Sequence, residues 1–258
     1  MIPALEGIIP LAEAAGNAAR ALRRAAREVK KDGSDVTEAD RASHRILMEG
    51  LERFGFPVLS EEAASFPDPT EGPLWIIDPL DGTSDFLKGS PDWCVMVGLL
   101  AEGRPVMGVV YAPELGLLWS AAAGKGSFVR DASGRHRLAV SSVADPARAR
   151  VLKSATHPSE RSDEVARRFG GTELVRGSMG VKLGLIAEGS AECYWREVSF
   201  GEWDVCAPQI ILEEAGGVVT DGSGAPLRYG NPDRRLANGF AASNGVLHEA
   251  LTAAARAH

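Results

Sequence analysis

The sequence predicts an α+β first half followed by an α/β second half, and three patterns lead there. Apolar residues recur at helical spacing near the start, β-rich runs broken by glycine and proline turns fill residues 93–129, and short strands alternate with helices beyond about Ser142. An antiparallel sheet is therefore expected in the first half and a smaller mixed sheet in the second. The division falls between residues 1–141 and 142–258, with no internal repeat, low-complexity tract or flexible linker between them. The two halves are expected to share one rigid body.

Leu5, Ile8, Ile9, Ala12, Ala15, Ala19, Leu22, Ala26 and Val29 form one apolar stripe, which predicts a long amphipathic helix. After the turn-like Lys31-Asp32-Gly33-Ser34, Thr37 is placed to cap a second helix reaching about Phe54, with Ile46, Leu47 and Leu51 inward. Residues 57–60 and 74–77 are short apolar runs that end abruptly in acids, as buried strands that deliver ligands at their tips would. Runs at 93–100, 106–111, 117–121 and 126–129 read as an antiparallel meander. Beyond it, strands are expected at 150–154, 191–195, 217–220 and 240–243, and helices at 159–168, 179–187, 203–215 and 246–256.

Composition narrows the function. A chain of 258 residues buries a substantial core without staples, and its three cysteines lack CxxC spacing, so neither a disulfide framework nor a zinc ribbon is suggested. A reducing cytoplasm fits them best. Residues 1–16 carry no basic segment of the signal-peptide kind, and no apolar run is long enough to span a bilayer. The net charge of -7 argues against binding a nucleic-acid polymer, which depends on lysine and arginine. An acidic protein can still take an anion if divalent cations occupy some of its carboxylates.

Such carboxylates cluster in Trp75-Ile76-Ile77-Asp78-Pro79-Leu80-Asp81-Gly82-Thr83-Ser84. Magnesium takes near-octahedral oxygen coordination, so Asp78 could bridge two ions, Asp81 could ligate one, and the Leu80 carbonyl could add an oxygen. Pro79 stiffens the turn, Gly82 permits close backbone approach, and the N–H groups of Gly82, Thr83 and Ser84 would open toward a phosphate. D-G-T alone is ordinary turn chemistry. The full string is not, because an apolar strand ending in two acids this close is electrostatically awkward without cations. Glu61-Glu62 closes the preceding strand in the same way. Asp204 opens a helix, and Asp40 lies in a cap-like Thr37-Glu38-Ala39-Asp40, so each has a capping role open to it beside a catalytic one.

Taken together and in order, Glu61-Glu62, Trp75 to Thr83, Trp203-Asp204 and Glu214-Ala215-Gly216-Gly217 resemble the inositol monophosphatase superfamily of magnesium-dependent, lithium-sensitive phosphatases. The resemblance spans nearly the whole chain and implies a layered αβαβα sandwich. It also implies that Glu61, Asp78 and the Leu80 carbonyl hold one Mg2+, that Asp78, Asp81 and Asp204 hold a second, and that Glu61 helps hold a third. Thr83, oriented by Asp40, would position and deprotonate the attacking water together with Glu61. Most of the implied ligands lie in the first half, whereas the second supplies Asp204 and substrate-recognition residues. The chain departs from the family pattern at Cys206 and Pro208, where alanine or glycine is frequent, and the proline could bend its helix.

Within the superfamily, 36–40, 57–62, 109–113 and 187–189 resemble the CysQ-like 3'(2'),5'-bisphosphate nucleotidases, as does the acid-aromatic pair Asp85-Phe86. That implies adenosine 3',5'-bisphosphate as the small phosphate ester. Ser154, His157, Lys182, Arg196 or Lys88 could then meet a second phosphate. Glu197 stands where inositol phosphatases carry a polyol-recognising glutamate, which keeps an inositol or sugar monophosphatase in view. A non-catalytic metal- or ligand-binding relative is the alternative of another class, and a homodimer is left open.

Overall fold

The computed structural model describes residues 3–26, 38–63, 65, 67 and 72–256. A single 3-10 turn, Leu5–Gly7, precedes α1 (Ile9–Ala26), and α2 covers Glu38–Glu52. Pro10 suits the first turn of α1, where a missing N–H costs nothing. Val29, the Lys31–Ser34 turn and the Thr37 cap lie outside the described residues.

Strands β1 (Val58–Ser60), β2 (Leu74–Asp81), β3 (Cys94–Ala101), β4 (Arg104–Ala112), β5 (Leu117–Ala122), β6 (Gly126–Asp131) and β7 (Gly134–Arg137) form one seven-stranded sheet in sequence order. All its neighbours pair antiparallel except β1 with β2, which run parallel. The short helix α3 (Thr83–Lys88) leaves the end of β2. The second sheet takes β8 (Arg150–Ser154), β9 (Thr172–Arg176), β10 (Cys193–Arg196), β12 (Val218–Thr220) and β14 (Phe240–Ser243) in the order β12-β14-β10-β8-β9, while β11 (Phe200–Gly201) pairs with β13 (Arg235–Leu236). It is mixed, with β8 parallel to both neighbours and β14 antiparallel to its own. Helices α4 (Glu160–Phe169), α5 (Met179–Ala187), α6 (Cys206–Glu214) and α7 (His248–Arg256) complete the chain.

Side-chain alternation along the strands stacks these elements in five layers. Trp75, Ile77, Val95, Val97 and Leu99 meet Ile8, Ala12, Ala15, Leu47 and Leu51 of the α1–α2 layer. From the opposite face, Cys94, Met96, Val110 and Trp119 meet α5 and α6 through Val181, Ile186, Ile210 and Ile211, and the same cluster takes in Leu152, Tyr194 and Ala242 of the second sheet. Val151, Cys193 and Ala241 face outward onto Val165, Phe169 and Leu251 of α4 and α7. The order is thus αβαβα. Strands covered on both faces read as continuous apolar runs.

Four strands are absent from the sequence-based expectation. β7 is mostly exposed and polar, β9 is an edge strand with four of its five residues exposed, and β11 and β13 hold two residues each, so none carries a hydrophobic signature. β2 is longer than expected because it continues through Pro79 to Asp81, with a register irregularity between Asp78 and Asp81. The helix expected from Trp203 begins instead as a 3-10 turn over Glu202–Asp204, and α6 follows from Cys206. Pro208 is its third residue, where no intrahelical donor is required, so no bend is needed there.

Two glycines let α6 press on the first sheet. A Cβ at Gly98 would lie 2.7 Å from Cys206 Sγ, and one at Gly108 would lie 2.3 Å from the Ala207 carbonyl and 2.7 Å from Ile210 Cγ2. Cys206, larger than the residue usual in the family, therefore fits because the strand opposite has no side chain. Gly108→Val should push α6 off the sheet and lower unfolding stability by about 2–3 kcal/mol, read from urea midpoints at constant m.

Candidate active site

The acidic string behaves as its composition suggests. β2 delivers Asp78 and Asp81 from a fully buried strand, and Asp204 arrives across the layer boundary on the turn before α6. One carboxylate oxygen of each lies within 4.8 Å of the others, the only such group of metal-binding side chains among the described residues. Glu61, immediately after β1, lines the same cleft beside them. The cleft measures about 680 Å3, a size ordinary for small-molecule ligands (roughly 300–1,000 Å3).

Local hydrogen bonds aim these groups. Asp78 Oδ1 accepts the Leu80 N–H at 2.9 Å, and Asp204 Oδ2 accepts the Gly201 N–H at 2.6 Å. Asp81 Oδ2 accepts from the Ser178 hydroxyl at 2.5 Å and the Gly180 N–H at 2.9 Å, both at the start of α5, and from Cys94 Sγ at 3.7 Å. Ser178 also accepts the Val181 N–H at 3.1 Å, holding its own backbone at φ 50. The Thr83 hydroxyl lies 3.2 Å from the Leu80 carbonyl and 3.4 Å from Asp40 Oδ1, and Asp40 stands behind it, outside the cleft wall. Gly82, at φ 91, could not carry a side chain, since a Cβ would lie 2.9 Å from the Asp92 carbonyl.

Burial, and after it the crowding of like charges, sets the electrostatics. Burial, then Glu61, Asp81 and Asp204, holds Asp78 well above the usual carboxylate range. Loss of solvent, then Asp204, pushes Glu61 up to about 8, and burial, then Asp81, pushes Asp204 up to about 7. Protons are one remedy for such a nest and hard cations the other. An all-oxygen set of carboxylates plus the Leu80 carbonyl has the donor chemistry of magnesium and lacks the sulfur and imidazole ligands that favour zinc.

The opposite wall is cationic. Ser154, His157, Lys182 and Arg196 line the cleft, as do Gly82, Thr83 and Ser84. Lys182 is only 3% exposed. Its ammonium stands 3.5 Å from the Gly177 carbonyl and 4.8 Å from the centre of the Tyr194 ring, with no carboxylate within ion-pair distance among the described residues. Burial, then Arg196 and Lys182, lowers the His157 pKa.

Glu197 corrects the expectation placed on it. It does not line this cleft; its carboxylate lies 3.4 Å from the Ser159 hydroxyl, beside α4, because the chain turns at the end of β10 and leaves Arg196 on the inner side. Lys88 is likewise outside the lining, and buried Asp85 packs against Gly177. Ser178, Val198, Leu87 and Arg235 were not singled out in the sequence but line the cleft. The S-x-x-V start of α5 could have marked Ser178 as a cap. Arg235 lies in a two-residue strand with no pattern to read.

The model of the inositol monophosphatase family matches residues 3–258. The 3'(2'),5'-bisphosphate nucleotidase CysQ of Escherichia coli O157:H7 is 32% identical over 252 residues, covering 93% of this chain and 99% of that protein. A histidinol-phosphatase of Mycobacterium tuberculosis is 35% identical over 229 residues, 86% of this chain and 85% of its own. Among solved structures, extragenic suppressor protein suhB from Bartonella henselae superimposes with a TM-score of 0.83 at 26% identity, covering 98% of both chains. CysQ from Bacteroides thetaiotaomicron gives 0.76 at 26% identity over 90% of this chain and 95% of that one. With its carboxylate nest, its five layers and a match over almost its whole length, the chain belongs to the inositol monophosphatase family and is a phosphoric monoester hydrolase.

Proposed function

We propose that the protein removes the 3'-phosphate of adenosine 3',5'-bisphosphate with magnesium held by Glu61, Asp78, Leu80, Asp81 and Asp204. Arg196 carries the substrate assignment: it lines the cleft while Glu197 does not, so a wall of Lys182, Arg196 and Arg235 faces the acids. Such a wall suits a second anion and offers no carboxylate to a polyol. The relatives named bisphosphate nucleotidase point the same way.

Two ions would share Asp78, the first with Glu61 and the Leu80 carbonyl, the second with Asp81 and Asp204, and Glu61 would help hold a third. Magnesium bound there supplies positive charge that makes water more acidic and offsets charge on the attacking and leaving oxygens. The chain's own groups do the rest. Glu61 and Thr83 position the attacking water; the Thr83 hydroxyl passes a proton toward Asp40 as the water's proton moves to Thr83. Gly82, Thr83 and Ser84 face the scissile phosphate from the start of α3. Ser154, His157, Lys182 and Arg196 hold the second phosphate, so the ester is fixed at both ends before attack. No covalent phosphoenzyme is involved.

Phosphate release from adenosine 3',5'-bisphosphate, inositol 1-phosphate and histidinol phosphate, compared side by side with magnesium, should favour the nucleotide in kcat/KM. A clear preference for either other ester would overturn the assignment. Asp78→Asn should cut turnover by at least about 10³-fold and abolish the rise in Tm that magnesium gives, without lowering the metal-free Tm at pH 8. Retained activity would exclude Asp78 as a bridging ligand.

The raised carboxyl groups give a pH dependence whose sign follows from linkage. In metal-free folded protein Glu61 and Asp204 hold protons up to about 8 and about 7, whereas unfolded carboxyls release theirs near about 4. The folded state therefore binds more protons in between, and stability falls as pH rises from about 4 through 8. In chelator, Tm should fall between pH 5 and 8.5; with excess magnesium the fall should be largely abolished. A metal-free Tm that rises over this range would show that the acids do not crowd one another.

A further inference from the structure

Only four large apolar side chains are exposed among the described residues, namely Leu87, Val175, Val198 and Val246, and two of them, Leu87 at 40% and Val198 at 47%, line the cleft. Their placement is specific. Leu87 follows Thr83 and Ser84 on α3 at spacings of four and three residues, so the three lie on one helix face that looks into the cleft. Val198 stands in the connection between β10 and β11, two residues from Arg196, where the chain has turned Glu197 outward. The rest of the lining is dominated by carboxylates, hydroxyls and cations. Scattered apolar residues on a surface need no explanation, but two in a polar cleft beside the reacting groups do.

We propose that Leu87 and Val198 receive a flat heteroaromatic ring carried by the leaving group, so that the cleft selects a nucleotide over a cyclitol or an open-chain polyol. The inference rests on the bisphosphate reading, in which Lys182 and Arg196 take the second phosphate. A cyclitol carries a hydroxyl on each carbon and would lose hydrogen bonds to water against these two side chains without replacement. A nucleobase has two apolar faces and keeps its polar atoms at its edge, so it can cover Leu87 and Val198 while its rim stays wet. The anionic and apolar contacts then divide the work: the cations fix the sugar phosphate, and the aliphatic pair discriminates what is attached to the sugar.

The test compares adenosine 3',5'-bisphosphate with 1-deoxyribose 3,5-bisphosphate, which keeps both phosphates and the 2-hydroxyl and lacks the base. The wild-type protein should favour the nucleotide in kcat/KM by about tenfold or more, equivalent to about 1.4 kcal/mol. Leu87→Ser and Val198→Ser should each lower that ratio, and the double variant should bring it to within about twofold of unity, mainly through KM for the nucleotide. Both positions are exposed, so the variants should unfold at the wild-type Tm; Leu87→Gln and Val198→Thr supply the same comparison if either does not. A wild-type protein indifferent to the base, or variants that keep the full ratio, would overturn the inference and leave the bisphosphate reading standing. Hydrolysis of inositol 1-phosphate in preference to both bisphosphates would instead remove the bisphosphate reading itself.

Discussion

The fold exists to hold together groups that repel. Glu61, Asp78, Asp81 and Asp204 come from three separate stretches of chain and share one small volume, where burial and neighbouring acids raise the proton affinity of Glu61, Asp78 and Asp204. Nothing local would keep them there. The penalty is met by layers packed on both sides: β2 is buried along its whole length, α1 and α2 cover one face, and α5 and α6 cover the other. The small residues at 98 and 108 let α6 approach closely enough for Asp204 to complete the set. Packing of this kind costs conformational entropy to assemble and leaves side chains little freedom afterward. A nest of acids requires that rigidity, because a looser framework would relax by letting one carboxylate swing away.

Much of this was legible beforehand, and what was missed has a physical cause. An apolar strand running straight into Asp78 and Asp81 is conspicuous because the two features conflict, and conflicts between local rules mark function. Asp204 and Asp40 showed no such conflict: capping chemistry alone would have explained them, and it was the family resemblance that singled them out. β8, α5 and β14 were readable to the residue since each holds a short apolar core, Val151-Leu152, Leu183 to Ala187 and Phe240 to Ala242, bounded by turn or polar residues. β9 and β7 were not, because an edge strand facing water carries no hydrophobic period. Glu197 lies outside the cleft that Arg196 lines, because no pattern in the sequence marks which of two neighbouring charges turns inward where the chain leaves β10.

Hydrogen bonding sharpens the contrast between acids that look alike in sequence. Asp81 spends one oxygen on the first turn of α5, whereas Asp78 spends one on its own loop and Asp204 on Gly201. Each carboxylate is thereby fixed through one of its oxygens. Charge-assisted bonds of this sort are short and directional, so the orientation of each carboxylate is inherited largely from backbone geometry. Residues with no chemistry of their own, such as Ser178 and Gly201, thus carry geometric information into the cleft.

The grip of Ser178 on Asp81 has a further effect, because Lys182 rides on the same helix one turn later. Four residues of α-helix advance about 6 Å, and that rise separates the anchor of the Asp81 carboxylate from the base of the buried ammonium. The helix is in effect a ruler cut into the cleft. Loops can drift in length among related chains, but a graduation set by helical pitch cannot be stretched, so the interval between the anchor of Asp81 and the root of Lys182 is gauged by backbone hydrogen bonds and not by side-chain reach.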